Sequence, residues 1–338
     1  MPIPLLVGTG IMPAAGPVVD ELAAVTRRAF VPKLIVQIYQ STPLMQALID
    51  NAHFATGGID PITVPVQGAS LVSATWSGYA GTFSLPGSQP GITNAQATLK
   101  LLVVPIPFLG MEGAVQMDHS VIPLIEARLN DATTVTKQTL AAAIYNNTAA
   151  INAQALTGFP DAIDDGTNTD TYMGISRAAN PFWKAFYVNA GGANPSRNLV
   201  MQYISQIVKK CGEAPSAGFT GFGTWTQLTQ DFTPLERYNH TPGGGDFGTG
   251  RSLFRAVEVG GVPIYPDPFA IEGKILFINF NYLSLYMHEA AAFQFSGFQS
   301  TIPNAQIGFV GVLATILELV QAKPSSSSQI TNLSYLPI

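Results

Sequence analysis

The sequence predicts a mixed α+β fold from three observations: a long helix with an apolar stripe starting at Ser120, an uncharged β-rich stretch from Pro61 to Leu99, and a C-terminal third made mostly of strand-like runs. Of the 338 residues, 11% carry charge (16 basic, 21 acidic) and 47% are hydrophobic, whereas roughly 25% of residues are charged in ordinary soluble domains. So little charge implies that something other than water covers much of the surface. Disordered chains pair low hydrophobicity with high net charge, and this chain has neither, so it must bury a core. Its net charge of −5 contains no run of like sign. That argues against a basic nucleic-acid reader or a polybasic membrane arm and points to protein as the partner.

A lone cysteine, Cys211, excludes an internal disulfide framework and a cysteine-cluster metal site, and reads as a small buried hydrophobe. Residues 1–16 lack a basic n-region and are broken by prolines, which argues against a secretory signal and for a soluble protein made in the cytosol. The longest apolar stretches, Leu101–Leu109 and Ile307–Leu317, fall short of the roughly 18 residues that suggest a membrane span.

Residues 21–50 read as an arm leading into short helices, with Leu34, Ile35, Ile38, Leu44, Leu48 and Ile49 at helical spacing and a break at Thr42-Pro43. Pro61–Leu99 reads as a hairpin carrying Trp76, Tyr79, Phe83 and Leu85 with no gatekeeper charge, an aggregation hazard unless another subunit covers it. The returning strand, from Ala97 to Val115, is rich in aliphatics and is expected to enter the core. Ser120 suits an N-cap and Pro123 the first turn, opening a helix to about Asn146. Val121, Ile125, Leu129, Ala132, Val135, Leu140 and Ile144 form its stripe, and about 26 residues at ~1.5 Å each give a rod of about 39 Å.

Turns and short strands should follow over Ala155–Asn189. A second helix, Arg197 to Lys210, has Leu199, Ile204, Ile207 and Val208 on one face, Lys209 and Lys210 at its end, and a stop near Gly212. Gly218–Asp231 reads as a strand and a short helix around Trp225 and Leu228. Asn239–Gly250 reads as a surface loop, and strands dominate thereafter.

No constellation in the sequence indicates catalysis. His288-Glu289 lacks the second histidine that a zinc-protease helix needs at i+4. His53, His119 and His240 are scattered. Gly8-Thr9-Gly10 lacks the third glycine and the preceding strand of a dinucleotide fingerprint. Asp161, Asp164 and Asp165 form a carboxylate cluster of the kind that holds a hard cation, but Pro160 and Gly166 bracket a turn in which aspartates are routine. Asn-x-Ser/Thr triplets at Asn146, Asn239 and Asn332 mean little without secretion. No catalytic residue, cofactor or metal is expected.

The order of these elements resembles the Hong Kong 97-like major capsid proteins of tailed bacteriophages. The likeness spans nearly the whole chain. It rests on Ala155–Trp183, with Gly174-Ile175-Ser176-Arg177 before Pro181-Phe182-Trp183, on Phe254–His288, and on Ala322–Ser334. The resemblance implies an N-terminal arm with short helices (1–58), an E-loop hairpin (59–112), a peripheral domain with a long spine helix (113–194), an axial domain (195–286) and a return to the peripheral domain (287–338). It further implies hexamers and pentamers of an icosahedral shell around double-stranded DNA, in a virion assembled in the host cytoplasm. Trp76, Tyr79, Phe83, Leu85, Arg27 and Arg28 are its candidate subunit-interface residues. Expected partners are further copies of the chain, a separate scaffolding protein, a portal, an optional cement protein, and DNA held by weak non-specific contact.

Two features depart from the family pattern. The chain lacks a long charged N-terminal extension, and the hairpin lacks a lysine, with only Lys100 at its base. The second counts against the lysine–asparagine crosslinks of the founding member. Alternatives are an encapsulin-type nanocompartment with the same fold and, from another class, a β-rich hydrolase or lectin-like binding module.

Overall fold

Local sequence sets most element boundaries in the computed structural model, which describes residues 43–50, 53–55, 61–68, 76, 79, 91–109, 124–146, 148, 150–230, 256–291, 293–300 and 308–337. In chain order the elements are α1 (Pro43–Asp50), β1 (His53–Ala55), β2 (Ile62–Gln67), β3 (Ile92–Ala97), β4 (Lys100–Leu109), α2 (Leu124–Asn146), α3 (Phe159–Ala162), β5 (Thr171–Tyr172), β6 (Ile175–Ser176) and β7 (Phe186–Ala193). Then come α4 (Arg197–Cys211), β8 (Ala217–Thr220), α5 (Phe222–Gln230), β9 (Val257–Val259), β10 (Val262–Pro266), β11 (Ile275–Ile278), β12 (Leu283–His288), β13 (Gln294–Ser300), β14 (Gly308–Gln321) and β15 (Ser328–Leu333). The chain divides into two units, one of Met1–Tyr39, Val103–Val135 and Phe295–Leu313, the other of Gln40–Leu102, Thr136–Gln294 and Ala314–Ile338.

The larger unit holds a six-stranded mixed sheet in the order β7-β15-β11-β8-β10-β9. β11 and β8 bury every residue, as central strands covered on both faces do. Val200, Ile204 and Ile207 of α4 pack with Val262, Ile264, Ile275, Phe277 and Ile330 of the sheet. Each such burial contributes roughly 1.5–3 kcal/mol. α4 starts as its sequence predicts, with Ser196 Oγ accepting from the Leu199 amide, and its last turn carries Lys209 and Lys210 before Gly212. A second core gathers Leu44 and Leu48 of α1, Leu140 and Ile144 of α2, Trp183, and Leu285, Leu317 and Leu319 of the strands. β12 pairs antiparallel with the end of β14, Leu283 opposite Gln321, and parallel with β1. In the smaller unit Ile106, Ala132 and Leu313 form a modest cluster with Val104, Leu129 and Phe295.

Several expectations need correcting. In α2 the inward face runs through Ala127, Ala132, Thr136, Leu140 and Ile144, and Val135 is exposed. Apolarity marked a stripe, but the helix turns it so that Thr136 faces inward in place of Val135. Likewise Val200, not Val208, completes the buried face of α4. β4 does not enter the core as a whole. Leu101 and Val103 are exposed and Ile106 is buried, because a strand turns alternate residues to opposite faces. Cys211 is half-buried, with Sγ donating to the Glu213 carbonyl at 2.9 Å. The expected loop at 239–250, the helical pattern before Pro43, and Ser120, Val121 and Pro123 lie outside the described residues. Among the described residues, no helix is long and apolar enough to cross a membrane.

Candidate functional site

β2 and β3 form the base of the expected hairpin, paired antiparallel from Ile62↔Ala97 to Gln67↔Ile92. Ile62 and Ala97 pack on Val320 of β14, which seats this base. Toward the tip, Trp76 and Tyr79 are fully exposed. Burying either ring against a partner would remove about 150–250 Å² from water, a gross gain of about 4–6 kcal/mol before association costs. Phe83, Leu85, Arg27 and Arg28, the other interface candidates, lie outside the described residues.

Short-range geometry pins the hairpin base. β5 and β6 are joined by Met173 and Gly174, both with positive φ (50° and 78°), the requirement of a tight type I′ turn. Glycine adopts that conformation freely, whereas Met173 is strained, and its carbonyl accepts from the Gln96 amide of β3 at 2.9 Å. At Gly68, just after β2, a β-carbon would run into the ring of Phe182.

The three aspartates serve the turn that the sequence suggested. Asp164, fully buried, accepts from the Gly166, Asn168 and Thr169 amides at 2.9–3.1 Å and from Asn168 Nδ2 at 2.8 Å. These bonds use its acceptor capacity on its own loop. Asp161 accepts from Thr169 Oγ1 at 2.6 Å, and Asp165 from the Thr167 amide at 3.0 Å. Arg177, fully buried, donates to the carbonyls of Thr169 (2.7 Å), Asp161 (2.6 Å) and Ala162 (3.2 Å) and lies 5.2 Å from the centre of the Tyr172 ring. It staples α3 to the following loop. Trp183 Nε1 completes this knot by donating to the Tyr172 carbonyl at 3.0 Å.

His53 stacks on Tyr286 at 5.5 Å, His288 ends β12, Glu289 begins a short 3₁₀ turn, and His119 and His240 lie outside the described residues, as does Gly8-Thr9-Gly10. Among the described residues, no three His, Cys, Asp or Glu side chains are grouped to hold a metal. Asn146 ends α2, Asn332 donates to Asn189 Oδ1 at 3.0 Å, and Asn239 lies outside the described residues.

Two buried carboxylates escaped sequence reasoning. Glu318, 1% exposed on β14, borders a cavity of about 210 Å³ together with Gln96, Lys100, Asp161, Tyr172 and Met173. Its Oε1 accepts from the Thr157 and Leu319 amides at 3.0 and 3.1 Å, and its Oε2 has no partner. Burial pushes its pKa up to about 7, against the opposing pull of Thr157, Leu319 and Lys100. Lys100 itself donates to the Ala153 carbonyl at 2.8 Å. Asp267, between two prolines, is fully buried near Tyr145, with its pKa pushed up to about 6 by burial. For Glu318 the available signal was a single charged residue in a mostly apolar strand, whereas Asp267 lies just past the end of β10.

No protein-family model and no curated protein sequence matches the chain. Solved structures do. A subunit from the capsid asymmetric unit of cyanophage A-1(L) matches with a TM-score of 0.65 at 16% identity, covering 91% of this chain and 97% of that one. The capsid of a native GTA particle matches at 0.59 and 13% identity, covering 91% and 96%. The holo-SrpI encapsulin complex of Synechococcus elongatus PCC 7942 matches at 0.58 and 11% identity, covering 97% and 99%. The chain therefore has the Hong Kong 97-like fold of tailed-phage capsid proteins.

Proposed function

We propose that this chain is a major capsid protein, a structural subunit and not an enzyme, whose copies assemble into hexamers and pentamers of an icosahedral shell enclosing phage double-stranded DNA. The observation that carries the reading is the end-to-end match: shell subunits correspond to this chain over nearly their whole length, leaving little of either chain for another activity. The low charge and the exposed Trp76 and Tyr79 support it, since intersubunit contact would remove that surface from water. In this reading residues 1–58 are the arm, 59–112 the E-loop, 113–194 and 287–338 the peripheral domain, and 195–286 the axial domain, which would contain α4 and four strands of the six-stranded sheet. Stability would come from many modest contacts acting together. A mildly acidic chain would grip DNA weakly, which suits packaging and release. Scaffolding protein, portal and any cement protein would be separate chains, with assembly in the host cytoplasm and the product in the virion.

The encapsulin match supports a second reading, a shell around cargo protein. Purified full-length protein should run in gel filtration as capsomers or shells and show closed particles by negative-stain microscopy. Nuclease-resistant DNA inside particles from infected cells would support the capsid, and co-purifying cargo protein the nanocompartment. A small, soluble oligomer that never closes would overturn both and favour the hydrolase or binding-module alternative.

A further inference from the structure

We propose that Glu318 and Lys100 form a proton-controlled latch at the hairpin base: when Glu318 ionises, the Lys100 ammonium leaves the Ala153 carbonyl and pairs with Glu318 Oε2 within the cavity they both line. The argument starts from the orphan oxygen. Glu318 Oε2 is buried and meets no donor, a tolerable state for a neutral carboxyl and a costly one for a carboxylate.

Among the residues lining the cavity, Lys100 is the cation. Its four-carbon stem is flexible and its head carries three donors. The carbonyl it now holds belongs to Ala153, on an exposed turn where water can replace the lysine. The other ionisable groups facing the cavity are already engaged. Asp161 accepts from Thr169 Oγ1, the Tyr172 hydroxyl accepts from the Gln321 amide at 2.9 Å, and Arg177, behind the Tyr172 ring, is committed to three carbonyls. Burial also raises the Tyr172 phenol, so it stays neutral throughout. Because burial brings the Glu318 carboxyl to about 7, both arrangements are accessible around neutrality.

The two arrangements tie different parts of the chain together. With Glu318 protonated, the start of β4 is fastened to the turn at 150–156. With Glu318 ionised, it is fastened to β14 and the turn is released.

Amide hydrogen exchange of the full-length chain, read by mass spectrometry at pH 5.5 and 8.5 and corrected for intrinsic rates, tests the latch in wild type, Glu318→Gln and Lys100→Met. Wild type should lose protection over 151–156 at the higher pH by about threefold or more, the scale of a local opening. Glu318→Gln should keep the turn protected at both values, and Lys100→Met should expose it at both. Unchanged exchange in β8, β11 and β15 certifies the fold. Should Glu318→Gln fail that control, Lys100→Met against wild type decides alone. Equal wild-type protection at the two pH values, or the same pH response in Lys100→Met, overturns the proposal.

Discussion

Replacing Asp267 with asparagine should make the subunit more stable above pH 6 and flatten the dependence of its stability on pH. Asp267 is fully buried, and its Oδ1 accepts from the Phe269 amide at 2.9 Å. Burial raises its pKa from 3.8 to about 6, opposed in part by the Phe269 amide, the Tyr145 hydroxyl and the Leu44 amide. The folded chain therefore binds this proton more tightly than the unfolded chain. Its contribution to stability is fully present below pH 3.8 and is lost as pH rises through 6. A shift of about two units corresponds to about 3 kcal/mol at neutral pH. Asparagine keeps the acceptor for Phe269 and cannot ionise, so the variant should match or slightly trail wild type near pH 4 and exceed it by up to about 3 kcal/mol at pH 8. Urea midpoints of unassembled full-length subunits, measured from pH 4 to 8, provide the assay. The difference between variant and wild type is the quantity to follow, because Glu318 adds a fall of the same sign extending to about 7. Asp170 and Glu213 act in the opposite direction at acid pH, their pKa values lowered chiefly by bonds from the Ala178 amide and the Tyr282 hydroxyl. Parallel curves for the two proteins would refute the reasoning.

Leu140→Ala, in the larger core at 3% exposure, should cost about 2–5 kcal/mol, whereas Leu129→Ala, half-buried beside Ile106 and Leu313, should cost about 1–2 kcal/mol; equal melting losses would mean the helix phase is misread. Trp76→Asp combined with Phe83→Asp should leave circular dichroism and subunit melting unchanged yet abolish closed particles in electron micrographs, and a normal particle yield would remove the hairpin from the interface. Particles boiled in reducing detergent should run as one band near 35.8 kDa, since the hairpin carries no lysine and Lys100 is engaged at its base; a ladder of larger species would redirect attention to Lys100.

Sequence alone determined the features that rest on local rules. The span of α4 from Arg197 and its stop at Gly212 were legible because the apolar face and the left-handed stop act over a few residues, and the uncharged hairpin announced itself by composition. The turn after Asp164 was legible for the same reason, because Asp164 and Asp165 bond to amides a few residues on, although the short helix α3 that carries Asp161 was not. The order of elements carried the resemblance that the solved capsids bear out, although no single motif did. Only tertiary structure decided which face of each element is covered. Val135 and Val208 are as apolar as their buried neighbours, and the packing surface, not the side chain, sets the phase. The same limit hid Glu318 and Asp267. A carboxyl's ionisation is fixed by what surrounds it, and those neighbours come from residues far apart in the chain: Thr157 and Lys100 for Glu318, Tyr145 and Leu44 for Asp267.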